Sequence, residues 1–134
     1  MKADRNVATV KRLAAAWDSR DLDAVMACFC DNPIYRSSTG PGPGREASGV
    51  AQVRDLVNSF FESATTRTTE VEEPQHNGSV VRDPISTDGI VIVFWNLLFP
   101  DPTGFPRNVE GLDVFTFDGD GRIKCKDAYR KAWS

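Results

Sequence analysis

The sequence predicts an α+β fold in which three N-terminal helices cover one face of a curved antiparallel sheet. Three observations carry this prediction. Apolar residues recur at helical spacing through the first half of the chain. Past residue 66 the period becomes that of strands. The strand-like segments are separated by the hairpin signals "HNG", "DPTG" and "DGDG". At 134 residues the chain falls within the roughly 100–200 residues of one domain, so residues 1–134 are expected to form a single unit.

Val7, Val10, Leu13, Ala14 and Trp17 lie on one side of an amphipathic helix over residues 4–18, which ends at "DSRD". "DLDAVMACFC", Asp21 to Cys30, starts with an acidic cap and groups Leu22, Val25, Met26 and Phe29, giving a second short helix. "NPIYRSST" has the β-branched, alternating content of a short strand with Pro33 at its edge, and "GPGPGREASG" reads as loop. Val50, Val53, Leu56, Val57, Phe60 and Phe61 mark the longest helix, residues 49–64. "RTTEVEEPQ", "GIVIVFWNLLF", "NVEGLDVFTF" and "RIKCKDAYRKA" then follow as strands.

Composition excludes several functions. With 40% hydrophobic and 26% charged residues, a net charge of −3 and no extended basic run, the chain lacks the electrostatic footprint of a nucleic-acid binder. Its longest apolar run, Gly89 to Pro100, is broken by Asn96 and falls short of the roughly 20 residues of a membrane helix. The charged, helical N-terminus does not read as a signal peptide, so a soluble cytoplasmic protein is expected. Cys28, Cys30 and Cys125 are odd in number, lack a CxxC spacing and have one histidine for company; they read as packed thiols, with neither a disulfide framework nor a metal site.

"TFDGDGRIKCKD", Thr116 to Asp127, tests that exclusion. Asp118, Asp120, Gly121 and Ile123 fall on the third, fifth, sixth and eighth places of an EF-hand loop, and Asp127 on the twelfth. Thr116 at the first place and Asp in place of Glu at the last are poor ligands, and the flanks alternate as strands do. The stretch reads as a hairpin whose aspartates serve the turn and tolerate positive φ beside Gly119 and Gly121.

The order of elements, with "WDSRDLDAVMACFCDN", "GVAQVRDLVNSFF" and above all "GLDVFTFDGDGRI" followed by "AY", resembles the nuclear-transport-factor-2-like superfamily over about residues 7 to 130. Within it, the SnoaL-like polyketide cyclases and the ketosteroid isomerases look most similar. The resemblance implies a cone-shaped α+β barrel enclosing an apolar pocket for a small molecule, without a cofactor, and a homodimer formed through the sheet. In the isomerases a helix Tyr and a late-strand acid hold an enolate oxygen while a first-strand carboxylate moves the proton. The late-strand acid falls on Asp113, whereas the helix Tyr falls on Leu13 and the first-strand carboxylate on Ser37, so two of the three roles are missing. The Arg and Asp pair of the epoxide-hydrolase branch has no counterpart in the uncharged strand "GIVIVFWNLLF", and its last Asp falls near Ala128.

Asp113 is the first candidate for chemistry. On a strand it shares a face with Gly111 and Phe115, and a carboxylate on an apolar face is costly unless paired, hydrogen-bonded or protonated. The competing reading is a structural ion pair with Lys126 or Arg130. Tyr35 and Ser37 share one face of the first strand; Tyr35 either polarises a ligand oxygen in place of the missing helix Tyr or packs with its hydroxyl at the surface. Trp17, one turn after Leu13, either walls the pocket or packs in the core. His76 in "PQHNG" either serves as an acid or base near neutral pH or is a turn residue, Arg107, Asn108 and Glu110 read as rim or solvated turn residues, and "GPGPG" reads as a lid without the Lys of a phosphate loop. Two functions remain: a cofactor-independent isomerase, cyclase or dehydratase acting on a small apolar carbonyl compound through Asp113 and Tyr35, or a non-catalytic module binding such a molecule.

Overall fold

The N-terminal helix α1 (Lys2–Asp18) buries Val10, Leu13 and Ala16 against the sheet and covers it with Trp17. The structure is a computed structural model that describes the backbone of residues 2–38, 42, 44–68, 79–80, 83–100 and 106–131, and the side chains of residues 3–38, 42, 44–62, 83–96 and 110–131. Asp21 caps helix α2 (Leu22–Ala27), accepting from the Ala24 N–H at 3.1 Å, as its acidic start predicts. This helix is shorter than its apolar spacing suggests. The Cys28 carbonyl accepts from Ile123 N–H at 2.8 Å, and Phe29 and Cys30 open strand β1 (Phe29–Arg36). Phe29 is buried as a strand residue and also fits the apolar stripe of the helix, so periodicity does not place the boundary.

The "REASG" part of the expected loop holds a short strand, β2 (Glu46–Ser48), paired with β1 from Ile34↔Ser48 to Arg36↔Glu46. Helix α3 (Val50–Thr68) follows. Its start is fixed by Gln52, whose side-chain oxygen accepts from Ser48 N–H at 3.0 Å, and its inner stripe buries Val53, Leu56, Val57 and Phe61. Burial of each such side chain contributes about 1.5–3 kcal/mol. Because α3 runs to Thr68, the start of "RTTEVEEPQ" is helical, and its remainder lies outside the described residues. His76, "GPGPG" apart from Gly42 and Gly44, "DPTG" and the side chains of Arg107 and Asn108 also lie outside them.

Strands β3 (Ser79–Val80), β4 (Ile85–Thr87), β5 (Ile90–Pro100), β6 (Pro106–Phe117) and β7 (Ile123–Arg130) complete a sheet of order β2-β1-β7-β6-β5-β3, with β4 also on β5. The long hairpin pairs from Val91↔Phe115 to Pro100↔Pro106, and β4 turns into β5 through Asp88 and Gly89, both at positive φ, a two-residue Asp-Gly connection. One pair departs from the expected meander: β1 and β7 run parallel. Helix α3 lies between β1 and the later strands in sequence, and this crossover allows the parallel pair. Pro33, buried inside β1, falls where the β1–β7 register shifts, so its missing N–H breaks no ladder bond there.

The β6–β7 connection is the predicted hairpin. Asp118 Oδ1 accepts from the backbone N–H groups of Asp120 and Arg122, both at 2.9 Å, and only Gly121 in the turn has positive φ. The aspartates therefore serve by accepting hydrogen bonds and adopt ordinary φ themselves. Thr9 Oγ1 donates to the Gly121 carbonyl at 2.7 Å and Arg5 to that of Gly119 at 3.0 Å, fastening α1 across the end of the sheet. Among the described residues no helix is long and apolar enough to cross a membrane.

Candidate active site

Alternation on the long hairpin sends Val91, Val93 and Trp95 of β5, and Gly111, Asp113, Phe115 and Phe117 of β6, to the face covered by the helices. Strand β7 reaches that face by a bulge. Thr116 pairs with Cys125 but Phe117 with Ile123, so Lys124 is an extra residue. Past it, the side chains exchange faces, and Ile123 and Lys126, three positions apart, are both buried. Tyr35 of β1 is the direct partner of Lys126 in the parallel pair. Asp113 lies opposite Ala128, hence diagonal to Lys126, within reach of a long side chain.

These placements converge on one buried network. Lys126 Nζ donates to the Tyr35 hydroxyl at 2.7 Å and lies 3.7 Å from Asp113 Oδ2. The Trp95 indole N–H donates to Asp113 Oδ1 at 3.1 Å. The ammonium also lies 4.6 Å from the centre of the Trp17 ring and 4.3 Å from that of Tyr35, a cation held against two aromatic faces. Trp17 packs on Tyr35, Phe60 and Phe61 with ring centres 5.3–6.3 Å apart, and Tyr35 meets Phe60 at 6.0 Å. The residues come from α1, α3, β1, β5, β6 and β7, so the network sits where helices and sheet meet.

Burial and the neighbouring charges together set the protonation of the two central groups. Tyr35 is 4% exposed, and burial pushes its phenol above the usual range, with the Lys126 charge opposing and the Asp113 charge adding to the rise. For Lys126 burial acts the other way, but the Asp113 charge and the Tyr35 oxygen outweigh it and hold the ammonium above the usual range. Near neutral pH the site therefore presents an intact phenol and a cation. The Tyr35 oxygen accepts from Lys126, so that bond does not use the phenol's own proton. The buried Trp17 indole N–H has no acceptor among the described residues.

Of the residues singled out in the sequence, Asp113, Tyr35 and Trp17 are brought together here, with Lys126 as the link. The surface alternative for Tyr35 does not hold, and of the two cations named beside Asp113, Lys126 is the one that approaches it. Leu13 and Phe115 lie in the surrounding core, Phe115 as the cross-strand partner of Lys126. Ser37 is buried two residues past Tyr35, its backbone N–H bonded to the Arg45 carbonyl. Glu110 is half-exposed and pairs with Lys131 at 3.4 Å, away from the network. Trp95 was missed. Its signal was its inward parity on β5 and the bare Gly111 opposite, where a Cβ would overlap the Trp95 ring and the Tyr129 carbonyl oxygen.

Residues 10–125 match the family described as the SnoaL-like domain. None of the curated proteins compared by sequence matches the chain. Solved structures share the fold at low identity. Bal32a, from a soil-derived mobile gene cassette, is 19% identical with a TM-score of 0.74 over 97% of this chain and 92% of its own. A Bacillus subtilis protein assigned as an isomerase is 18% identical with a TM-score of 0.70 over 98% of this chain and 89% of its own. An NTF2-like protein of unknown function from Mesorhizobium loti is 13% identical with a TM-score of 0.73 over 98% of this chain and 95% of its own.

Proposed function

The chain belongs to the SnoaL-like family, and from that premise we propose that it is a cofactor-independent acid–base enzyme acting on a small apolar carbonyl compound, of the size of a polyketide, terpenoid or steroid-like molecule. The observation that carries the reading is the buried Asp113–Lys126–Tyr35 network under an aromatic wall. Tyr35 donates a hydrogen bond to the substrate carbonyl oxygen while keeping its proton, and the Lys126 ammonium behind it favours the negative charge that develops there. Asp113 takes a proton from the carbon next to the carbonyl, forming the enolate. Return of that proton to another carbon completes an isomerisation. Attack of the enolate carbon on a second carbonyl closes a ring, the new alkoxide taking the proton back from Asp113, and departure of a β-hydroxyl as water, protonated by Asp113, gives a dehydration. The Trp17 N–H, which has no acceptor among the described residues, offers a second donor to a bound acceptor.

Isomerase assignment of the Bacillus subtilis neighbour agrees with this chemistry, although the likeness is one of fold. Two observations favour a second reading, a non-catalytic binding module: Asp113 already has a cationic partner, and the helix Tyr and first-strand acid of the isomerases are Leu13 and Ser37 here. Deuterium uptake by a panel of planar enolisable ketones in D2O separates the two. Enzyme-dependent uptake that is lost in Asp113→Asn supports catalysis; binding of the same ketones without uptake supports the module.

The unit is proposed to be a single cytoplasmic domain that forms a homodimer through the outer sheet face, where Ile92, Phe94, Leu112 and Val114 are only half-buried within one chain. Light scattering at micromolar concentration tests this, and a monomer would contradict it.

A further inference from the structure

An unstrained ammonium–carboxylate hydrogen bond is about 2.7–2.9 Å long, yet Lys126 Nζ and Asp113 Oδ2 stand 3.7 Å apart in a buried setting where their attraction is least screened. Each ion instead has a shorter bond to an uncharged aromatic partner. The ammonium is drawn to the Tyr35 oxygen at 2.7 Å, and Asp113 Oδ1 is held by the Trp95 indole at 3.1 Å. Lys126 and Asp113 are diagonal neighbours on adjacent antiparallel strands, a separation that a lysine side chain can span. Trp95 in turn is fixed in the sheet. Its backbone partner is Gly111, and its ring lies over that residue, in space that any Cβ would occupy. A Trp facing a Gly therefore puts an indole N–H beside the acid two residues along.

We infer that Trp95 is a positioning residue that holds the Asp113–Lys126 ion pair open, keeping Asp113 Oδ2 accessible to a ligand proton. A closed pair would commit Oδ2 to the ammonium and draw Lys126 off the Tyr35 hydroxyl. The functional half of this inference rests on the acid–base reading above, whereas the geometric half does not.

The test replaces Trp95 with 3-benzothienylalanine, which keeps the bicyclic shape and lacks the N–H, and with Phe in the variant Trp95→Phe. Crystal structures of each give the distance from Lys126 Nζ to the nearer Asp113 oxygen, and ketone deuteration gives the rate. The expected result is closure to about 2.8 Å in the benzothienyl protein with a fall in turnover rate of about 100-fold, the order that an ångström of misplacement costs, and little change in KM. A distance that stays at 3.7 Å overturns the inference, as does closure with an unchanged rate. Should the unsubstituted protein deuterate no ketone, the acid–base reading fails, and the distance alone still decides whether Trp95 holds the pair open. If Trp95→Phe does not fold, the benzothienyl protein carries the measurement.

Discussion

Adjacent residues of one strand pair build two clusters from the same ingredients. Tyr35↔Lys126 faces inward and joins Asp113; Arg36↔Asp127, the next pair along, faces outward and joins Glu46 and Tyr129. Each cluster has a cation, a carboxylate and a tyrosine hydroxyl, and each contains an ion pair of 3.7 Å. What differs is water. The Lys126 side chain is 9% exposed, while that of Arg36 is 53% exposed and shares its charge with Glu46 at 2.8 Å. In the buried cluster each charge depends on its few partners; outside, solvent replaces any partner that leaves. The contrast is the physical reason for proposing the site on the inner face, although both faces carry equivalent chemistry in the sequence.

Removal of the inner cation should have the largest effect. Lys126→Met leaves the Asp113 carboxylate buried beside a thioether, and about 3–5 kcal/mol of stability should be lost, read as the urea midpoint and slope. The double variant with Asp113→Asn should recover most of it. Tyr35→Phe comes next, at about 1–3 kcal/mol, because a buried ammonium loses its shortest hydrogen bond. A loss no larger than that of an exposed substitution would put the hydroxyl outside the network.

Alkaline pH sharpens the same contrast. Both Tyr35 and Lys126 hold their protons more tightly folded than unfolded. Their contribution is therefore intact below their unfolded values near pH 10 and is lost as pH rises through the higher folded ones. Stability should be level from neutrality to about pH 9.5 with respect to these groups and then fall. Relative to the unsubstituted protein, Tyr35→Phe should show a smaller fall, and an identical alkaline profile would contradict the assignment. At the small end, Arg36→Ala and Tyr129→Phe remove the outer partners, and neither should move the urea midpoint measurably.

The fold was legible because its signals are periodic. The stripe Val10, Leu13, Trp17, the run Val53, Leu56, Val57, Phe61 and the Gly/Asp turn at 118–121 each identify an element without reference to the rest of the chain. The boundary at Cys28 was not legible, since pairing with Ile123, 95 positions away, decides it. The site was half legible. Asp113 and Tyr35 stand out as polar groups at inward positions, but strict alternation from Ile123 turns Lys126 to solvent, and only the bulge at Lys124 brings it inside. Trp95 reads as another apolar residue in an apolar strand. Its bond to Asp113 follows from a cross-strand register and a missing Cβ at Gly111, neither of which its own neighbours announce.

The inner cluster is proposed to act on a ligand and the outer one is not. Deuterium uptake at the carbon next to the carbonyl of 2-tetralone or a related planar ketone, followed by NMR, tests it with paired variants. The account predicts that Tyr129→Phe and Asp127→Asn match the unsubstituted protein, while Tyr35→Phe and Asp113→Asn lose about 100-fold or more, the scale of a lost acid or base. Equal rates for the inner and outer variants would contradict it.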